Sequence, residues 1–256
     1  MAVLDVRNLK KTYTTRFGTN RVEALRDVTF SVDAREFVAI MGESGSGKTT
    51  LLNILAALDK PTSGQVLLDG KPMADIPDGD LAKFRRENLG FVFQEFNLLD
   101  TFSIRDNILL PLVLAGNATP QEMEQRVRPL AERLGILDLL DKFPYEVSGG
   151  EKQRAAIARA LIPGPRLLLA DEPTGALDSR ASDSLLSLLT EVNRQGQTIL
   201  MVTHSLKAAS HAGRVLFIKD GVIFHQLYRE EEGANLYQRI ADTLTALSPA
   251  QTGDTP

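Results

Sequence analysis

The chain has 256 residues, 43% of them hydrophobic and 24% charged, with 29 Lys plus Arg against 33 Asp plus Glu and a net charge of −4. These proportions suit a soluble globular protein of one large α/β domain or two small ones. The absence of cysteine excludes a disulfide scaffold, a Cys-ligated zinc site and a thiol nucleophile.

The mild acidity gives no nucleic-acid footprint. No run approaches the roughly 18–20 apolar residues that cross a bilayer, since the longest, residues 108–115, is interrupted by Pro111. The N-terminus has no apolar segment followed by a cleavage site, so it does not read as a secretory signal. The expected location is the cytoplasm, with any membrane contact made through a partner.

Taken in chain order, residues 3–9 and 24–32 alternate partly between apolar and polar, as antiparallel strands do. Residues 37–41 form a short apolar run without alternation, and residues 167–170 and 198–202 form two more. Such runs fit strands buried on both faces of a parallel sheet. A helix is expected over 49–58. Residues 95–163 read as a helical insert whose acidic, amphipathic stretch, 120–134, begins at Pro120 and should be kinked or divided at Pro129. From 180 to 194, Ala181, Leu185, Leu188 and Val192 recur at the spacing of one helix face. Residues 214–219 and 222–227 are β-rich and joined by Asp220-Gly221, a hairpin signal. A closing helix with Leu236, Ile240, Leu244 and Leu247 on one face is expected within 230–247, and 248–256 should be a disordered tail. Strand–helix alternation implies an α/β layered fold.

Three motifs carry chemistry. Gly42-Glu43-Ser44-Gly45-Ser46-Gly47-Lys48-Thr49 matches the phosphate-loop pattern in full, between an apolar strand and a helix. Its glycines let backbone N–H groups wrap a phosphate, the helix N-terminus adds partial positive charge, Lys48 brings an ammonium to the β/γ-phosphates, and Thr49 offers a hydroxyl to Mg²⁺. The strand 167–170 ends in Asp171 and Glu172, placed to hold Mg²⁺ and to take a proton from water; alone, the pair equally fits a solvated acidic turn. Ser148-Gly149-Gly150-Glu151 reads as an N-capped helix start that exposes backbone donors to an anion, or simply as a capped helix.

In this order the three motifs resemble the ATP-binding cassette of ABC proteins, a resemblance covering about residues 3–228. It implies a P-loop cassette with a RecA-like core, an antiparallel β subdomain and a helical insert of about 95–163, in a cassette domain of 1–229. It also implies roles for single residues. Tyr13 would stack on adenine, although its position also suits a plain strand aromatic. The nucleotide would be held by Gly42, Ser44, Gly45, Gly47, Lys48, Thr49 and Thr50, and from a second subunit by Ser148, Gly149 and Gly150, with Asp178 in the loop that crosses the dimer interface. Gln94 would touch Mg²⁺ and water, so that Thr49, Gln94 and Asp171 form the metal set. Glu172 would be the base, and His204 would contact the γ-phosphate. His211 and His225 match nothing and read as surface or packing residues. Two departures stand out. The signature, residues 147–151, reads Val-Ser-Gly-Gly-Glu where Leu-Ser-Gly-Gly-Gln is commonest, and Gly175 stands where many members carry Ser.

The family implies an ATP hydrolase that works as a head-to-tail homodimer with ATP and Mg²⁺. With no fused membrane helices, no second cassette and no coiled-coil insert, the resemblance narrows to a transporter subunit on the cytoplasmic face of the membrane. The wording of 58–64, 93–99 and 170–178 is similar to the branch serving FtsX-like permeases. The ending 218–229 with a helix after it is most like the bacitracin and antimicrobial-peptide resistance subgroup, whose members often work beside a two-component sensor kinase; an ordinary closing hairpin would look similar. The alternative is a lipoprotein-release, macrolide-export or cell-division complex. The permease contact is expected near Gln94 and 95–102, where Phe96, Leu98 and Leu99 are either exposed contacts or core.

Overall fold

The computed structural model describes residues 2–14, 21–230 and 235–247. Among the described residues ten strands form one sheet in the order β5-β4-β1-β2-β10-β9-β3-β8-β7-β6. In chain order they are β1 (Ala2–Thr14), β2 (Arg21–Asp33), β3 (Phe37–Met41), β4 (Ser63–Leu68), β5 (Lys71–Pro72), β6 (Leu89–Val92), β7 (Leu167–Asp171), β8 (Ile199–Thr203), β9 (Arg214–Lys219) and β10 (Val222–Tyr228). The helices are α1 (Lys48–Leu55), α2 (Leu81–Asn88), α3 (Ile104–Ala115), α4 (Pro120–Arg133), α5 (Gly149–Leu161), α6 (Ser179–Arg194), α7 (Leu206–Ala209) and α8 (Leu236–Leu247).

Strands β9, β3, β8, β7 and β6 run parallel, while β5, β4, β1 and β2 are antiparallel. The unbroken apolar runs have the reason expected of them. Along β3, Phe37, Ala39 and Met41 enter one core and Val38 and Ile40 the other, because successive side chains point to opposite faces. One core lies against the helical insert, α6 and α8; the other lies against α1 and the antiparallel strands. The β9–β10 hairpin turns at Asp220 and Gly221 with φ of 48° and 74°, both in the left-handed region that this two-residue turn requires.

Several expectations are corrected. Helix α4 runs through Pro129 undivided; Pro129 is exposed, so the carbonyl that loses its amide partner faces water. The first helix ends at Leu55 rather than Leu58, because Ala57 turns into the left-handed region at φ 53°. On α6 the buried residues are Leu185, Leu186, Leu189 and Val192; Leu188 is half-buried and packs against the same core, so the apolar stripe is wider than expected and takes in Leu186 and Leu189. Strands β1 and β2 extend past their expected ends as a polar hairpin arm, pairing Tyr13 with Val22 and Thr14 with Arg21. Strands β4 and β6 and helix α2 carry no clear pattern and were not anticipated as elements.

The insert contains α3, α4 and α5, with Thr119 and Glu122 forming a capping box at the start of α4. In α8, Leu236 and Ile240 are buried, and Leu244 packs against the same core. The expected tail, 248–256, lies outside the described residues. Among the described residues no helix is long and apolar enough to cross a membrane.

Candidate active site

The C-terminal ends of β3, β7 and β8 converge on a cleft of about 710 Å³. It is lined by Ser44, Gly45, Gly47, Lys48, Thr49 and Thr50 from the phosphate loop, Gln94 after β6, Asp171 and Glu172 at the end of β7, Val202 and His204 around the end of β8, and Val22, Glu23 and Ala24 of β2. Parallel sheets present their ligand crevices at this end.

Local backbone needs fix the loop. Gly47 caps α1 with φ 102°, and a Cβ there would lie 2.4 Å from the Ala24 carbonyl oxygen. A Cβ on Gly42 would lie 2.2 Å from the Ile218 carbonyl oxygen. Lys48 folds back so that Nζ donates to the carbonyls of Gly42 and Glu43, both at 2.7 Å. Burial pushes this ammonium below its ordinary value, against the pull of Glu172, Asp171 and Glu43. Among the described residues it has no salt-bridge partner. A half-buried cation beside a helix N-terminus fits an anionic phosphate.

Glu172 is the most constrained residue of the cleft. It has φ 44°, a left-handed conformation that costs a non-glycine residue about 1–2 kcal/mol. Its backbone N–H donates to the Val202 carbonyl at 2.9 Å. Its Oε2 accepts from the Thr203 hydroxyl at 2.9 Å. Its Oε1 accepts from the His204 backbone N–H at 2.9 Å and lies 2.7 Å from His204 Nδ1. The carboxylate is 14% exposed and the His204 ring 74%, so the ring reaches into the cleft from a fixed base. Burial and then the adjacent Glu172 push the Asp171 carboxyl above its usual value, with Lys48 opposing. Two crowded carboxylates beside the Thr49 hydroxyl and the Gln94 amide fit a divalent cation that completes its shell with phosphate oxygens and water.

The structure separates the sequence-predicted residues into two groups. The cleft gathers Ser44, Gly45, Gly47, Lys48, Thr49, Thr50, Gln94, Asp171, Glu172 and His204. Gly42, packed against Ile218, does not line it, and neither do Ser148, Gly149, Gly150 and Asp178. Ser148 caps α5 and exchanges hydrogen bonds with Glu151: Glu151 Oε2 accepts from the Ser148 N–H and hydroxyl, both at 2.7 Å. Asp178 caps α6, accepting from Ala181 N–H at 2.9 Å. Tyr13 also lies outside the lining. Its hydroxyl donates to Asp59 at 2.8 Å, Lys11 Nζ sits 4.8 Å from its ring centre, and its cross-strand neighbour Val22 does line the cleft.

Gly175 gains a local reason, because a Cβ there would stand 2.9 Å from Gln94 Nε2; serine at this position would displace the Gln94 side chain. Two residues that escaped the sequence reading touch the site, Thr203 through Glu172 and Gln153 through the carbonyls of Phe93 and Pro173. A hydroxyl closing the apolar strand just before His204 was the available signal for Thr203. Of the remaining histidines, His211 Nδ1 lies 3.1 Å from the Thr190 hydroxyl, and the His225 ring packs 5.9 Å from that of Phe217.

Residues 25–175 match the ABC transporter family. The chain belongs to that family. It is 51% identical over 248 residues to an uncharacterized ABC transporter ATP-binding protein of Bacillus subtilis (strain 168), YvcR, covering 96% of this chain and 95% of that one. It is 45% identical to the bacitracin export ATP-binding protein BceA of Halalkalibacterium halodurans, covering 93% of each chain. Among solved structures it resembles a dimeric bacterial ABC transporter cassette, with a TM-score of 0.80 and 38% identity over 90% of this chain and all of that one. The same cassette is known in a post-hydrolysis state with ADP and Pi, at a TM-score of 0.79. The chain is therefore an ABC-type ATPase with the cassette fold.

Proposed function

We propose that this chain is the ATPase subunit that energises a membrane permease of the FtsX-like type, working as a head-to-tail homodimer on the cytoplasmic face of the membrane in resistance to, or sensing of, bacitracin-like peptides. The observation that carries the catalytic part is Glu172, held by Thr203 and His204 in the cleft with Lys48. Its carboxylate takes a proton from the attacking water as the water oxygen bonds the γ-phosphorus and the bond to the ADP oxygen breaks. Lys48 and the loop N–H groups hold the phosphates. His204 faces the γ-phosphate. Thr49, Gln94 and Asp171 would hold Mg²⁺, which would offset phosphate charge when bound.

The dimer reading draws support from the partition of the motif residues. Ser148, Gly149, Gly150 and Asp178 sit at two helix starts outside their own chain's cleft, and the similar cassette of known structure is dimeric. Tyr13 is proposed to stack on adenine from the strand pair that forms one wall. The permease is proposed to sit on the face of the insert, where Leu99 and Phe102 are exposed while Leu98 packs inward. The peptide reading rests on the bacitracin-export relative and on the resemblance of residues 218–229, with the helix after them, to that subgroup.

Glu172→Gln tests both parts. The purified variant should bind ATP, lose turnover by at least about a hundredfold, in line with loss of a general base, and accumulate as an ATP-bound dimer. Turnover near the wild-type rate would refute the base. Placed on the chromosome, the variant should selectively raise sensitivity to bacitracin and other peptides aimed at the cell wall. Unchanged sensitivity with a dead ATPase would turn the reading toward lipoprotein release or division.

A further inference from the structure

The side chain of Gln153, in the second turn of α5, is completely buried. Its Nε2 donates to the Phe93 carbonyl at 3.0 Å and to the Pro173 carbonyl at 2.7 Å. Phe93 immediately precedes Gln94, and Pro173 immediately follows Glu172. Carbonyls only accept, so both amide N–H groups are committed to them, and Oε1 is left buried without a hydrogen-bond partner among the described residues. A buried unpaired acceptor is a net cost to folding. A methionine, of similar length and with no amide, would avoid that cost but would leave the Phe93 and Pro173 carbonyls without their donor.

The same helix holds the Gln94 loop at a second place. The Arg159 guanidinium donates to the carbonyls of Phe96, at 2.9 Å, and Asn97. The far side of the Gln94 side chain rests against Gly175.

We infer that Gln153 is a positioning residue for ATP hydrolysis. One amide ties the residue before Gln94 to the residue after Glu172, so it sets the spacing of those two side chains. It also refers both to α5, whose first turn carries Ser148, Gly149 and Gly150. A shift of α5 is thereby a shift of both cleft residues. The inference rests on the roles proposed above for Gln94 and Glu172.

The test uses the full chain with ATP and Mg²⁺. Gln153→Met keeps the length and removes both donors. Binding of a fluorescent ATP analogue should stay within about threefold of wild type, because the phosphate loop is untouched. Turnover should fall by about ten- to a hundredfold with KM nearly unchanged, the scale of a misplacement near 1 Å. Combined with Gln94→Ala, the loss should be clearly smaller than the product of the two single losses, as expected for coupled groups. If Gln153→Met does not fold, Gln153→Asn, whose amide is one methylene short of both carbonyls, should show the same selective loss of turnover. A lowered melting temperature with kcat within about twofold of wild type, or losses that multiply fully, would overturn the inference. Glu172→Gln is assayed alongside. If it is inactive while Gln153→Met keeps full kcat, the positioning role alone falls. If Glu172→Gln is itself active, the catalytic reading falls and takes the inference with it.

Discussion

Replacing Thr203 by valine isolates one hydrogen bond at the heart of the cleft. The hydroxyl is fully buried, donates to Glu172 Oε2 at 2.9 Å and accepts from the Ser205 N–H at 3.0 Å. Valine is nearly isosteric, so no cavity term enters. The bond to the carboxylate is worth about 1.5–3 kcal/mol and the neutral one about 0.5–1.5 kcal/mol. A destabilisation of about 2–4 kcal/mol is therefore expected, a substantial part of a typical stability of about 5–15 kcal/mol. It is read from the urea midpoint with an unchanged slope. Glu172 keeps its two contacts to His204, so turnover should fall by about tenfold rather than vanish, short of the hundredfold cost of a full 1 Å misplacement. Thr203→Ser is the control: it keeps the hydroxyl, should keep kcat, and should lose only about 1 kcal/mol for the missing methyl. A valine variant within about 0.5 kcal/mol of wild type, the range of ordinary surface changes, and with full turnover would refute the argument that Thr203 anchors Glu172.

Gly47→Ala combines φ 102° with a Cβ 2.4 Å from the Ala24 carbonyl oxygen; it should cost at least about 1–2 kcal/mol for the backbone alone and cut nucleotide affinity at least tenfold, measured by fluorescent-nucleotide titration. Glu151→Ala removes the reciprocal cap of α5 and should cost about 0.5–1.5 kcal/mol at pH 7, toward the low end because much of this charge faces solvent. The Ser148 backbone N–H and then its hydroxyl hold the Glu151 carboxyl below its usual value. That stabilisation is present above the unfolded-state value and is lost as pH falls through the lower folded-state value. The stability gap between wild type and the alanine variant should therefore close on acidification below about pH 4, and a pH-independent gap would refute the assignment.

The phosphate loop was readable from sequence because each of its residue types answers a local demand. Gly47 needs a positive φ, Lys48 must be a long cation, and the strand and helix on either side supply the direction. The acid-ended strand and the Asp-Gly hairpin were readable for the same reason. What was hidden depends on contacts distant in sequence. Nothing local marks Thr203 as a partner of Glu172, 31 residues away. Gln153 reads as one more polar residue of a helix until Phe93, 60 residues before it, and Pro173, 20 residues after it, are seen to meet it. On α6, the helical spacing through Leu188 marked a side chain that does pack on the core, but tertiary packing widened the stripe to Leu186 and Leu189. Pro129 misled because its penalty depends on whether the freed carbonyl is buried, which sequence does not tell.

The cleft and the amide behind it bring several locally unfavourable features together. Glu172 holds a left-handed backbone, Lys48 and Asp171 are both pushed toward their neutral forms by burial, and Gln153 leaves an acceptor unpaired. Each is unfavourable by itself, and they persist because the two cores on either side of the sheet over-determine the strand ends that carry them. In the site proposed above, polyphosphate would answer both charges: it would give Lys48 a counter-charge and offer oxygens to a cation held by Asp171. Strain that ligand relieves is a source of coupling, since whatever changes the spacing of Gln94 and Glu172 changes how well nucleotide relieves it. Helix α5 is connected to both residues through Gln153 and ends in the Ser148 turn, outside its own chain's cleft. In the head-to-tail dimer proposed above, the route from the opposite subunit's nucleotide to this chain's chemistry would be short: one helix, one buried amide and two backbone carbonyls.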